Sequence, residues 1–315
     1  MFRVLLLPAF VSLIFLVPTC RADSISPTRR GCLRTQDQMW VISSRCLGCP
    51  SPDPHAVPAL QVKRFEAGRW TATDLGAFLS ADDSKLTVIF AHGTRSNYSQ
   101  SIQTGWLVYR QIARGASSDE PIRFVIWSWP ATQGKGLVKD FRVKLARTYS
   151  DAYYLGWVLH RLPATTRVSL IGHSFGTSVV TGATHALAGG SILGRRLDLA
   201  NVETVRPRLV LWAAAQNRWS LAPGSSFGQA VDQADAIMLH YNSCDFALKR
   251  YPRIDCSGAE ALGYTGLCGV RSATVRQRNV CCLIGKSHAD DSYLCSGTIM
   301  ADTRQYALWH NVIGL

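Results

Sequence analysis

The chain has 315 residues, 47% of them hydrophobic and 17% charged; that is enough apolar side chain to bury a large core, and it excludes a disordered or low-complexity protein. Lys and Arg outnumber Asp and Glu by 34 to 21, a formal net charge of +13. The cations are spread without long runs and no nucleic-acid motif accompanies them, so the expectation is solvated surface charge with weak attraction to anionic surfaces and no nucleic-acid partner.

Residues 1–22 carry one early cation, an apolar run over 4–17 and the small-residue pattern Cys20-Arg21-Ala22. That run is short for a membrane span. It predicts a signal peptide cut after Ala22, and therefore export to the periplasm or beyond, with an uncleaved anchor as the alternative. A lipid anchor at Cys20 is disfavoured by Thr19, where such signals have Gly, Ala or Ser. Ten cysteines agree with an oxidising compartment, where most are expected to pair and staple the N-terminal arm and the C-terminal third. Cys46 and Cys49, with Cys281 and Cys282, supply four thiols of the kind zinc takes. A lone CxxC outside the cytosol is weak evidence, and no metal is expected.

Residues 39–45 and 61–65 read as short strands around a Pro-rich loop that cannot be helical. LTVIFA, residues 86–91, is an apolar strand running into His92-Gly93-Thr94, and a helix follows over about 99–114. IRFVIW, residues 122–127, ends in Ser-Trp-Pro; a long helix over about 138–162 is stopped by Pro163. RVSLI (167–171) is a strand, 175–188 a helix, and RLVLWAA (208–214) and AIMLHYN (236–242) are buried strands. A closing helix over 296–312 has Ser296 as its cap. Apolar strands alternating with amphipathic helices predict an α/β fold, a mostly parallel sheet with helices on both faces that binds ligands beyond the carboxyl ends of its strands. The economical division is a core over 85–315, with an arm and the first strands, 23–84, packing on it.

Gly172-His173-Ser174-Phe175-Gly176 has the form G-x-S-x-G, with a strand before it and a helix after it. Glycines suit both ends because the turn presses helix backbone against strand, where a Cβ would collide, and the bend lifts the Ser174 hydroxyl clear. A serine hydroxyl needs an imidazole to take its proton. Of the histidines downstream, His185 falls inside a helix and His240 inside a buried strand. His288 sits in a Gly- and Ser-rich loop and is the better candidate than His310, near the end of the closing helix. The acid should follow the strand after RLVLWAA: Asp245 stands three residues beyond that strand's end, Asp232 and Asp235 lie at its wrong end, and Asp255 is the reserve. Two backbone N–H groups are expected to hold an oxyanion: Phe175, next to the serine at a helix N-terminus, and Thr94, after the first core strand. His92 is expected to brace that loop. Trp127, Trp129, Trp212 and Trp219 are expected to be core or rim packing before pocket lining. Residues 189–207 are too short and polar to assign as a lid. Asn97-Tyr98-Ser99 has the form of a glycosylation acceptor.

The elbow, the early His-Gly and the order Ser174, Asp245, His288 resemble the α/β-hydrolase superfamily over about residues 85–312. More narrowly, VIWSWPA, NSCDFALKRY and HADDSYL are similar to a poorly characterised bacterial group with a Trp-Pro after one strand and Asp-x-Ala-Leu-(Lys/Arg) after a later one. The superfamily resemblance implies an α/β-hydrolase fold and hydrolysis of a small-molecule or lipid-like acyl substrate through an acyl-serine, with no cofactor. The alternatives are an acyltransferase on the same fold and a non-catalytic binding protein that keeps it.

Overall fold

A strand that is apolar along its whole length has no face to give to water, so it must be covered on both sides. The computed structural model describes residues 33–81, 84–199, 203–270 and 272–311, and its centre is built from such strands. The strands are β1 (Gln38–Ser43), β2 (Gln61–Glu66), β3 (Arg69–Thr73), β4 (Leu86–Ala91), β5 (Ile122–Ser128), β6 (Val168–His173), β7 (Arg208–Trp212), β8 (Ala236–Tyr241) and β9 (Val275–Asn279). They form one sheet in the order β3-β2-β1-β5-β4-β6-β7-β8-β9. β1 and β4 to β9 run parallel, while β2 and β3 turn back as an antiparallel edge. Every residue of β4, β5 and β6 is buried.

The helices are α1 (Leu75–Leu79), α2 (Tyr98–Ala113), α3 (Leu137–Leu159), α4 (Gly176–Leu187), α5 (Ala230–Gln233), α6 (Leu262–Thr265), α7 (Cys281–Ile284), α8 (Asp290–Cys295) and α9 (Gly297–Ala307), with a 3-10 helix over Leu248–Arg253. α3, α4 and α5 pack together, and α2, α8 and α9 make a second group. The first group packs tightly because small residues meet: a Cβ on Gly182 would stand 2.7 Å from the Ala152 Cβ. The sheet order reverses around β4, whose neighbours β5 and β6 are reached by crossovers on opposite sides. The carboxyl ends of β4 and β6 therefore open a crevice, the place where sheets of this kind take ligands.

Three short elements escape the sequence pattern. β3 completes a hairpin across Ala67 and Gly68, both at positive φ, a turn that an Ala-Gly pair announces weakly. β9, VRQRN, is a polar edge strand with four exposed residues, so hydrophobicity gives no sign of it. α1 is a single capped turn, with Asp74 accepting from the Ala77 N–H. The closing helix is shorter than expected. Ser296 does cap it, but it begins at Gly297 and ends at Ala307, so His310 lies beyond it.

The expected disulfides are corrected as well. Cys46, Cys49, Cys244, Cys256, Cys268, Cys281 and Cys282 are free thiols; Cys281 and Cys282 are sequence neighbours with sulfurs 3.8 Å apart. Among the described residues no group of three or more His, Cys, Asp or Glu side chains has the arrangement of a metal site, and no helix is long and apolar enough to cross a membrane. Residues 1–22, where a signal peptide is expected, together with Cys20 and Cys32, lie outside the described residues.

Candidate active site

β6 ends at His173, and the chain then bends through Ser174, at φ +54°, before α4 begins at Gly176. A left-handed serine is strained, and the neighbourhood holds it. The Ser174 N–H donates to the Trp212 carbonyl at 3.0 Å, and the Ser174 carbonyl accepts from the Thr177 and Ala215 N–H groups. Glycine is required on both sides of the bend. A Cβ on Gly176 would stand 2.1 Å from the Ala91 carbonyl oxygen, and one on Gly172 2.7 Å from the Thr177 Cα.

Three of the residues proposed from the sequence converge here. The Ser174 Oγ lies 2.9 Å from His288 Nε2, and His288 Nδ1 lies 2.8 Å from Asp245 Oδ2. Asp245 follows β8 and is fully buried. Its other oxygen, Oδ1, accepts from the Ala247 and Leu248 N–H groups at 2.8 and 2.9 Å, so the carboxylate is fixed at both oxygens. An acceptor-only carboxylate on Nδ1 requires the Nδ1–H tautomer, which leaves the Nε2 lone pair facing the serine hydroxyl.

The loop carrying His288 is held by groups that its own sequence does not reveal. Asn242, buried at the end of β8, donates to the Gly285 and Ser287 carbonyls at 2.8 and 3.1 Å. His173 Nε2 lies 3.0 Å from the His288 carbonyl oxygen. Burial lowers the His173 pKa below its ordinary value, so the ring is neutral and donates from Nε2. His173 occupies the variable second position of the elbow pattern; its place one residue before the serine was the available signal.

The second wall is the turn after β4. A Cβ on Gly93 would stand 2.8 Å from His173 Nδ1 and 3.2 Å from the Ser174 Cβ, so this glycine lets the turn that carries Thr94 pack against the elbow. Neither the Thr94 nor the Phe175 backbone N–H has an acceptor among the described residues, and the Thr94 hydroxyl is buried without a partner. His92 stacks on Trp129 at 5.7 Å, and Trp129 Nε1 donates to the His92 carbonyl at 2.8 Å. Burial pulls the His92 pKa down to about 3. A neutral His92, bonded from Nδ1 to the Gly93 carbonyl at 2.7 Å, braces the turn. Trp127, Trp129 and Trp212 are fully buried, and Trp219 is half exposed.

The other candidates stay apart. His185 Nδ1 accepts from the Gln229 N–H, and His240 Nε2 meets Asp302 at 3.0 Å. The Arg208 guanidinium is bound to Asp235 and to the His310 carbonyl. Asp255 is occupied by Ser257 and Tyr251. Residues 189–207 follow the far end of α4, where Ile192 and Arg195 close a small bridge and Arg195 reaches the Ser51 carbonyl. Asn97 is the N-cap of α2, in a reciprocal capping box with Gln100.

A nucleophile, a base and a buried acid in line can attack a carbonyl carbon, and N–H groups without an acceptor, such as that of Phe175 next to the serine, can hold the resulting oxyanion. The family described as "Alpha/beta hydrolase of unknown function (DUF900)" matches residues 69–203. A solved structure from Listeria innocua, the product of gene lin2722, is similar over 70% of this chain and 93% of its own, at 10% identity and a TM-score of 0.36. That likeness is too distant to say anything about chemistry. No curated protein matches significantly.

Proposed function

Because the chain belongs to the α/β-hydrolase superfamily, we propose that it is a serine hydrolase cleaving a carboxylic ester or related acyl compound, exported by way of residues 1–22. The observation that carries this reading is the hydrogen-bonded line from the Ser174 hydroxyl through His288 to Asp245. His288 accepts the hydroxyl proton at Nε2 as Oγ attacks the carbonyl carbon. The Phe175 and Thr94 N–H groups receive the charge that develops on the carbonyl oxygen. His288 then returns its proton to the departing alkoxide, which leaves the acyl group on Ser174. Water repeats the cycle in the same roles, releasing the acid and restoring the serine. Every step uses side chains and backbone of this chain.

Labelling with a fluorophosphonate tests the reading. The expected result is one modified residue, Ser174, with labelling abolished in Ser174→Ala and ester hydrolysis reduced at least about a thousandfold. Hydrolysis that survives Ser174→Ala, or a label on another residue, overturns the proposal. A panel of chromogenic esters of graded chain length, run beside thioester and amide analogues, identifies the acyl class. Added alcohol reveals whether acyl transfer competes with water.

A further inference from the structure

We propose that the face around the Ser174 hydroxyl is a docking surface for an anionic lipid bilayer, with apolar side chains entering the interface and a basic collar holding the headgroups. This proposal does not depend on the serine hydrolase reading.

Four large apolar side chains on this face stand in water: Leu137 is 59% exposed, Val138 41%, Phe246 60% and Leu283 45%. All four follow the carboxyl ends of parallel strands, Leu137 and Val138 after β5, Phe246 after β8 and Leu283 after β9. Contacts join their segments to each other and to the site. The Phe141 ring, one turn beyond Leu137, packs edge-on against Phe175 at 6.1 Å, beside the serine. Arg142 donates to the Arg253 carbonyl at 3.1 Å, Arg250 lies 3.5 Å over the Phe246 ring, and the Phe246 N–H donates to the Lys286 carbonyl at 3.2 Å.

The exposed charge on these segments is positive. Exposed Lys135, Lys139 and Arg142 accompany Leu137 and Val138, and exposed Lys249, Arg250 and Arg253 follow Phe246. Lys286 adds to them beside Leu283, and Arg95 lies 5.9 Å over the Phe141 ring. The carboxylates within these segments are Asp140 and Asp245, both buried and held by Lys144 and His288. Asp255 follows Arg253, and Asp290 and Asp291 open α8 after His288, Asp290 acting electrostatically on His173. A soluble polyanion would satisfy the cations and leave Leu137, Phe246 and Leu283 wet. An anionic membrane surface takes both: long cationic side chains reach the headgroups while apolar ones enter the acyl boundary.

The test is co-sedimentation of the full chain with vesicles of phosphatidylglycerol and phosphatidylcholine, against phosphatidylcholine alone. Binding to the anionic vesicles is expected and should weaken as salt rises. The triple variant Lys139→Glu, Arg142→Glu, Arg250→Glu should lower partitioning at least about tenfold, while Arg69→Glu, Arg114→Glu, Arg206→Glu, an equal charge change elsewhere, should leave it within about twofold. Leu137→Ser, Val138→Ser, Phe246→Ser should lower it at least about fivefold without weakening binding to soluble polyphosphate. Thermal unfolding checks that each variant is folded. Absence of binding overturns the proposal, as does equal loss in the distant variant. An apolar triple that still binds vesicles makes the face a polyanion site instead. Binding unchanged by either face variant means attachment through another segment, such as residues 4–17, and also overturns it.

Discussion

Asp245 divides its two carboxylate oxygens between two tasks: Oδ2 faces His288, and Oδ1 caps the turn at Ala247 and Leu248. That division makes the electrostatic and structural contributions separable. Asp245→Asn keeps an oxygen for the two N–H groups but presents an amide donor to His288 Nδ1, which forces the proton onto Nε2 and removes the lone pair facing Ser174. The expected outcome is a fall in kcat of about four orders of magnitude with thermal stability nearly unchanged. Asp245→Ala should lose both. Rate and unfolding measurements on the pair check this. At this scale the sequence proposed side chains through chain order and spacing, and the structure brings Ser174 and Asp245 within hydrogen-bonding distance of His288. Asn242 and His173 were not identified, because their partners are backbone carbonyls more than forty residues away, and no local pattern records such a bond.

The elbow depends on a strand and a helix packed closer than any side chain allows. The space beside Gly176 is filled by the backbone of β4, which is fixed in the middle of the sheet between β5 and β6. Gly176→Ala is therefore expected to destabilise the fold by at least about 3 kcal/mol or to prevent folding. Gly297→Ala, at a helix start with open space around it, should be neutral or mildly stabilising. Comparison of their thermal unfolding tests the point. Central elements were legible because burial on both faces demands continuous apolar residues; β4 was predicted at the residues where it occurs. β3 and β9 were not, since an edge strand needs neither an apolar face nor a strong turn, only a neighbour to pair with.

Across the whole molecule, burial of imidazoles links stability to pH. His92, His173, His185 and His240 all have lowered pKa values, burial being the main cause in each. Below the ordinary histidine value of about 6.5 the unfolded chain takes up protons that the folded chain refuses, so stability present above that pH is lost as pH falls. His92 titrates at about 3 when folded, so its share of the loss at pH 5 is about 2 kcal/mol and grows down to that lower limit. The midpoint of thermal unfolding should drop between pH 7 and pH 5, and drop less steeply in His92→Asn. Equal slopes for the two proteins would show that His92 is not a source of the acid sensitivity.

Local chemistry was enough to specify the parallel core, the sharp bend at Ser174 and the residue types a hydrolytic site needs, because periodicity, glycine placement and chain order are written along the chain. Tertiary structure decided the rest. It gave the edge strands their partners, left Cys46, Cys49, Cys244, Cys256, Cys268, Cys281 and Cys282 as free thiols, fixed the His288 loop through Asn242 and His173, and gathered cations and apolar side chains from three segments onto one face. Each of those outcomes depends on distances between residues remote in sequence, which are set only when the sheet assembles.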